Sequence, residues 1–162
     1  MSKNNIKINE IIFDNSILMP EIVRMLKNGH TVTLRLKGTS MRPFIEGTRD
    51  KAILKAPSSP KVSDPVLAEI NNGIYVLHRI IDINGEDVIL QGDGNIFVEH
   101  CRMNDIKGLA IGFYRKGRKN KIDYIYSRKW KIYSYIWIRM LPIRKYLLAF
   151  YRIIWLKVFP IE

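Results

Sequence analysis

Cysteine is nearly absent from this chain of 162 residues: Cys101 stands alone, which excludes an internal disulfide. Three scattered histidines and that single cysteine give no zinc-ligand spacing, so no metal and no other cofactor is expected. Long apolar runs are missing too. Beyond Trp130 no more than seven residues intervene between successive charges among Lys131, Arg139, Arg144, Lys145, Arg152 and Lys157, well short of the roughly 20 apolar residues of a spanning helix. The opening segment, Met1 to Glu10, has neither the apolar stretch nor the small-residue cleavage site of a secretory signal. The expected location is the cytoplasm or a membrane surface.

Acidic residues are scarce at one end only. Residues 1–114 hold 14 Lys and Arg against 13 Asp and Glu, whereas residues 115–162 hold 13 against 2, so nearly all of the net charge of +12 lies in the tail. An anionic partner is therefore to be sought at residues 127–162. An anionic membrane surface suits the tail's Trp, Tyr, Lys and Arg content. Nucleic acid is disfavoured, because neither a stacking platform nor a recognition helix is apparent.

The length suits one core with an appendage. Residues 16–28 carry Ile17, Leu18, Ile22, Met25 and Leu26 at helical spacing, with Ser16 as candidate N-cap and Gly29 just past the end. Strict alternation in residues 31–37 puts Val32, Leu34 and Leu36 on one face of a half-buried strand. Pro57, Ser58, Ser59 and Pro60 mark a loop, and residues 65–70 read as a strand. Residues 74–81 and 87–91 flank Asn84-Gly85, whose residue types supply the positive φ of a tight hairpin and would place His78 and Gln91 on paired strands. Further strands are expected at 108–114 and 121–126, and Pro142 divides the tail into two helices. The reading is a mainly β body, 30–126, between a helical lead, 1–29, and a basic, aromatic helical tail, 127–162.

Three runs carry candidate chemistry: Lys37-Gly38-Thr39-Ser40-Met41-Arg42-Pro43, then Tyr75-Val76-Leu77-His78-Arg79-Ile80, then Leu90-Gln91-Gly92-Asp93-Gly94-Asn95. Ser before Pro alone marks a turn, and one His on a strand alone is structural. In this order, within strand-like sequence, the runs resemble the serine-protease clan of type I signal peptidases and LexA-type self-cleaving proteins. The resemblance spans roughly residues 31–118. It is closest to the archaeal and endoplasmic-reticulum signal peptidases, in which a His replaces the usual catalytic Lys.

That resemblance implies a LexA/signal-peptidase-like β fold and a serine endopeptidase acting on an extended leader or precursor peptide. Ser40 is then the nucleophile and His78 its base, since a hydroxyl needs a proton acceptor within hydrogen-bond reach. The acid that orients the imidazole is left between two residues. Asp93 matches the family's Gly-Asp-x-Asn box and suits a structural or supporting role; Glu99, six residues on, is placed where the His-bearing branch has an Asp. The Ser40 N–H would meet the oxyanion. Gly38 stands where many bacterial members have a hydroxyl, so the second donor is unassigned, and Gly47-Thr48-Arg49-Asp50 replaces a Gly-Asp pair of the family. Two other readings stand beside this one: a peptide-binding module that has lost catalysis, and a membrane-surface protein acting through its tail.

Overall fold

Short segments of alternating polarity favour strands, and the chain has them in series, each too short to bury its apolar face except against its neighbours. The computed structural model describes residues 15–47, 49–71, 73–116 and 121–158. It begins with helix α1, Asn15–Lys27, and continues with strands β1, Val32–Arg35; β2, Lys51–Lys55; β3, Pro65–Asn71; β4, Ile74–Asn84; β5, Asp87–Gln91; β6, Glu99–Arg102; β7, Ile106–Tyr114; and β8, Ile122–Tyr124. They form one antiparallel sheet in the order β1-β2-β7-β3-β4-β5-β6, with β8 paired to β7. The mainly β body is thus present.

Ser16 lies inside α1 rather than at its cap, and Gly29, at φ +81°, ends the helix with hydrogen bonds from Gly29 N to Leu26 O and from His30 N to Met25 O. At the hairpin only Gly85 has positive φ, and Asn84 pairs with Asp87. The turn is therefore the two-residue loop Gly85-Glu86, with glycine in its first position, rather than one centred on Asn84-Gly85. Strand β6 is not legible in the sequence, because Glu99-His100-Cys101-Arg102 has no strong apolar face to announce it. Residues 1–14 of the lead and 117–120 of the basic turn lie outside the described residues.

Irregularities in the ladder bend the sheet and leave edges open. Strand β4 pairs with β3 over Ile74 to Arg79 and with β5 over Arg79 to Asn84, with a register shift between Ile80 and Asp82. Arg79 alone pairs on both sides. The β5 ladder does not extend back along Ile74 to His78, and among the described residues β1 pairs only with β2.

After Ser127, whose hydroxyl caps it by accepting from Trp130 N, helix α2 runs Arg128–Arg139. A 3₁₀ turn at Leu141–Ile143 contains Pro142 and leads to α3, Arg144–Phe150. A π-helical turn, Tyr151–Trp155, then precedes α4, Leu156–Val158. The division at Pro142 follows from its missing N–H and fixed φ.

Two apolar clusters hold these elements. One joins Ile22 and Leu26 of α1 to Leu36, Met41, Leu54, Phe113 and Trp130; the other lies among Val66, Ala68, Ile80, Val88, Leu90 and Ile106. Trp130 is 3% exposed, stacks on Phe113 at 5.1 Å between ring centroids, and meets Phe44 edge-on at 4.7 Å. It fastens the tail into the main core. Trp130→Ala should lower unfolding stability by about 3–5 kcal/mol, as expected for a large buried aromatic, and urea denaturation monitored by circular dichroism would measure it. A tail merely resting on the body predicts almost no change.

Candidate active site

Ser40 sits in the loop between β1 and β2, and the neighbours that fix it are apolar. Met41 is 5% and Ile45 1% exposed, both in the main core, and Ile45 N donates to Met41 O at 3.0 Å. The turn around the serine closes with Arg42 N donating to Thr39 O at 3.1 Å. Arg42 binds Glu46 through two hydrogen bonds of 2.6 and 2.7 Å. Further on, the fully buried Asp50 accepts from Glu46 N at 2.9 Å and from Arg49 at 2.8 and 3.0 Å. Hydrogen bonds from Arg49 and from backbone N–H groups outweigh burial and hold the Asp50 carboxyl below its ordinary range. The 47–50 segment thus braces the serine loop. Its Gly47 packs so closely on the backbone of Gly38 that a β-carbon there would collide with the Gly38 carbonyl oxygen.

His78 reaches the same place from β4. Ser40 and His78 both line a cavity of about 130 Å³, with Leu36, Gly38 and Tyr75 among its other walls. The imidazole Nδ1 lies 2.9 Å from Glu99 Oε2, and Glu99 projects from β6. A carboxylate only accepts, so Nδ1 carries the proton and Nε2 presents a lone pair. Burial lowers the pKa of His78, and the charge and hydrogen bond of Glu99 oppose that shift without cancelling it, so the ring is neutral at neutral pH.

Gly92 packs against both Ser40 and His78. A β-carbon there would strike the Ser40 carbonyl oxygen and stand 3.1 Å from His78 Nε2. Only glycine fits between them. Among the described residues no hydrogen bond joins Ser40 to His78.

Asp93 does not orient the imidazole. Its two oxygens receive Nε and Nη2 of Arg79, each at 2.8 Å, and the pair is fully buried. Alternation along β4 sends the neighbours His78 and Arg79 to opposite faces, His78 toward Glu99 and Arg79 toward the tail. Arg79 Nη1 donates to Ser63 O at 2.8 Å and to Ser134 Oγ of α2 at 2.6 Å. Ser63 holds φ +84°, an unfavourable conformation for a residue with a side chain. The guanidinium also lies 5.1 Å from the Trp130 ring centroid.

The same loop is held from the tail. Tyr133 donates to Asp93 Oδ2 and Trp137 Nε1 to Asp93 O, both at 3.2 Å. Buried Arg144 donates to Gln91 Oε1 at 2.7 Å, and Arg152 to Gly94 O at 3.1 Å. Gly94 N in turn donates to Ser40 O at 2.7 Å. Sequence reasoning missed Arg79, Tyr133, Trp137 and Arg144. The available signal was that Arg79 interrupts an apolar strand beside the candidate base, where an unpaired arginine would be costly.

The other histidines and the cysteine stand apart from this arrangement. His100 is exposed, and burial pushes the Cys101 thiol up to about 11, leaving it un-ionised at neutral pH.

Two outcomes follow from the geometry. In a nuclear magnetic resonance titration His78 should protonate with a midpoint below 6.5, and in Glu99→Gln, which loses the opposing carboxylate, at a lower pH still. Because the folded-state value is depressed, the stability that depends on neutral His78 is complete above 6.5 and declines as pH falls through the folded-state midpoint. A midpoint above 6.5 in the wild type would contradict the balance described. Separately, Asp93→Ala should destabilise the fold by about 3–5 kcal/mol, because it strands a buried guanidinium; chemical denaturation reads the loss.

The chain matches no protein-family model and no curated protein, so the chemistry of this site is carried by its own residues and their placement.

Proposed function

We propose that the chain is a serine endopeptidase of the signal-peptidase-like clan, with Ser40 as nucleophile, His78 as general base and acid, and Glu99 as the residue that orients His78. One observation carries this reading: a neutral imidazole, bound to Glu99 through Nδ1, shares a small cavity with Ser40, and Gly92 packs against both the Ser40 carbonyl oxygen and the imidazole Nε2. As the Ser40 oxygen attacks a scissile carbonyl, its proton passes to Nε2. The imidazolium is stabilised by Glu99 and returns that proton to the departing amine. Water, deprotonated by the same nitrogen, then releases the acyl group from Ser40. The Ser40 N–H is the donor assigned to the oxyanion.

The substrate is an extended peptide. Residues 74–78 of β4 offer backbone groups on the side away from β3, facing Leu36, Lys37 and Gly38 across the cavity. A peptide strand laid there gains ladder hydrogen bonds, and its alternate side chains enter separate pockets. The cavity at Ser40, about 130 Å³, suits a small side chain; a second of about 200 Å³, bounded by Leu18, Met19, Leu34, Leu67 and Leu77, suits a larger apolar one. Ile96, Phe97 and Val98, which precede Glu99, are exposed at 56%, 81% and 43% and give the site an apolar rim.

A second reading, a peptide-binding module without catalysis, draws on the missing Ser40–His78 hydrogen bond. Catalytic hydrogen bonds often tighten only when substrate is bound, which leaves the peptidase reading in place. Incubation with a pool of leader-like peptides, followed by mass spectrometry, separates the two. Cleavage should fall about 10³-fold or more in both Ser40→Ala and His78→Ala. Peptides bound with equal affinity by all three proteins and cut by none would leave the binding module.

A further inference from the structure

The tail has two faces: the inner one packs on the body, and of the exposed cations Arg152 also reaches it, donating to Gly94 O. Helix α2 turns Trp130, Tyr133, Ser134 and Trp137 inward at spacings of three and four residues, and α3 adds Arg144 and Leu148. The outer face is unusual in two respects. Between residues 128 and 158 it exposes seven cations, Arg144 being the buried exception, and the segment contains no Asp or Glu. The same stretch exposes ten large apolar side chains, six of them aliphatic, with Ile132, Tyr135 and Ile153 each 60% and Tyr146 65% exposed. Exposed apolar groups at this density mark a binding surface.

We infer that this outer face docks on an anionic lipid surface. Charge complementarity fixes the sign of the partner. A second copy of the chain would bring two faces of seven cations together, against strong repulsion. Nucleic acid would meet the cations but leave most of the apolar area without a partner, since isoleucine and valine give bases nothing to stack on. A lipid interface accommodates both kinds of group: aliphatic side chains enter the acyl boundary, while cations and aromatic rings sit at headgroup depth. The outer face pairs the two, with Arg139 over the Tyr135 ring at 4.9 Å and Lys145 over the Tyr146 ring at 4.9 Å. No helix among the described residues is long and apolar enough to cross a bilayer. The 12 residues of α2 span about 18 Å against a hydrocarbon thickness of about 30 Å, so the helices lie on the surface.

This inference goes beyond the peptidase reading and does not rest on it, because its readout is binding. The full chain would be sedimented with vesicles of phosphatidylcholine alone and of phosphatidylcholine with added phosphatidylglycerol. Partitioning should be about tenfold or more stronger on the anionic vesicles. It should weaken by a similar factor in a double variant, Arg139→Glu with Lys145→Glu. It should also weaken in Ile132→Ser with Ile153→Ser, at unchanged charge. Near-ultraviolet circular dichroism confirms that each variant keeps its packing, and all four substitutions lie on exposed positions. Anionic vesicle binding that survives both variants, or a single-stranded oligonucleotide that displaces the vesicles, overturns the assignment.

Discussion

A guanidinium with no exposure to water costs several kcal/mol in lost hydration unless its N–H groups and its charge are met. Arg79 is in that position, and four of its five N–H groups are used: two on Asp93, one on Ser63 O and one on Ser134 Oγ. Donor and acceptors come from four separate parts of the chain. The strand bearing His78 supplies the arginine, the loop after β5 supplies the carboxylate, the loop before β3 supplies the carbonyl, and the tail supplies the hydroxyl. Each must arrive before the charge can be buried. The pair is therefore better regarded as a condition on the fold than as a source of net stability.

Geometry transmits that condition to the candidate active site over short distances. His78 is the immediate neighbour of Arg79, and successive strand residues point to opposite faces, so fixing the guanidinium on one side fixes the imidazole on the other. Asp93 is flanked by Gly92, which leaves room for the imidazole, and by Gly94, whose N–H holds the Ser40 carbonyl. Bidentate capture of Asp93 thus sets the position of the peptide segment that lies between Ser40 and His78. On the proposed peptidase reading, a displacement of even 1 Å would cost rate, and the support lies behind Ser40 and His78 rather than between them.

Much of the body was legible because it depends on local pattern. Alternation at Val32, Leu34 and Leu36 gave the strand leading to Ser40, the Asn84-Gly85 pair marked the hairpin, and Pro142 marked the break in the tail. The loop at residues 56–60 followed from its prolines. The placement of Ser40 beside His78 and the choice of Glu99 over Asp93 against the imidazole depend on strand register instead. Register is set by how β4, β5 and β6 pair, and a shift of one residue would turn Glu99 to the other face. Arg79 illustrates the limit. Its partners lie 14, 16 and 55 residues away, and no local spacing identifies them. The tail's composition suits its tryptophans to a lipid interface, yet Trp130 and Trp137 turn inward, because composition does not name the surface a helix packs on.

The composition changes sharply near residue 127, yet packing is continuous across it. Removing the tail would take Trp130 from the core, Ser134 from Arg79, Tyr133 and Trp137 from Asp93, and Arg144 from Gln91. A truncated chain would leave Arg79 short of an acceptor and Phe113 without its stacking partner, so lost activity or lost lipid binding in it would report misfolding. The functions of the two faces are separable only by substitution on the outer one. This follows from the tail's construction: the residues that hold the loop of Asp93 and those that carry the exposed charge are interspersed along the same helices. A surface bound on the outer side would therefore act on a rigid element already fixed to Asp93 and Gly94. It would orient the open edge of β4 relative to that surface without needing a hinge between anchor and site.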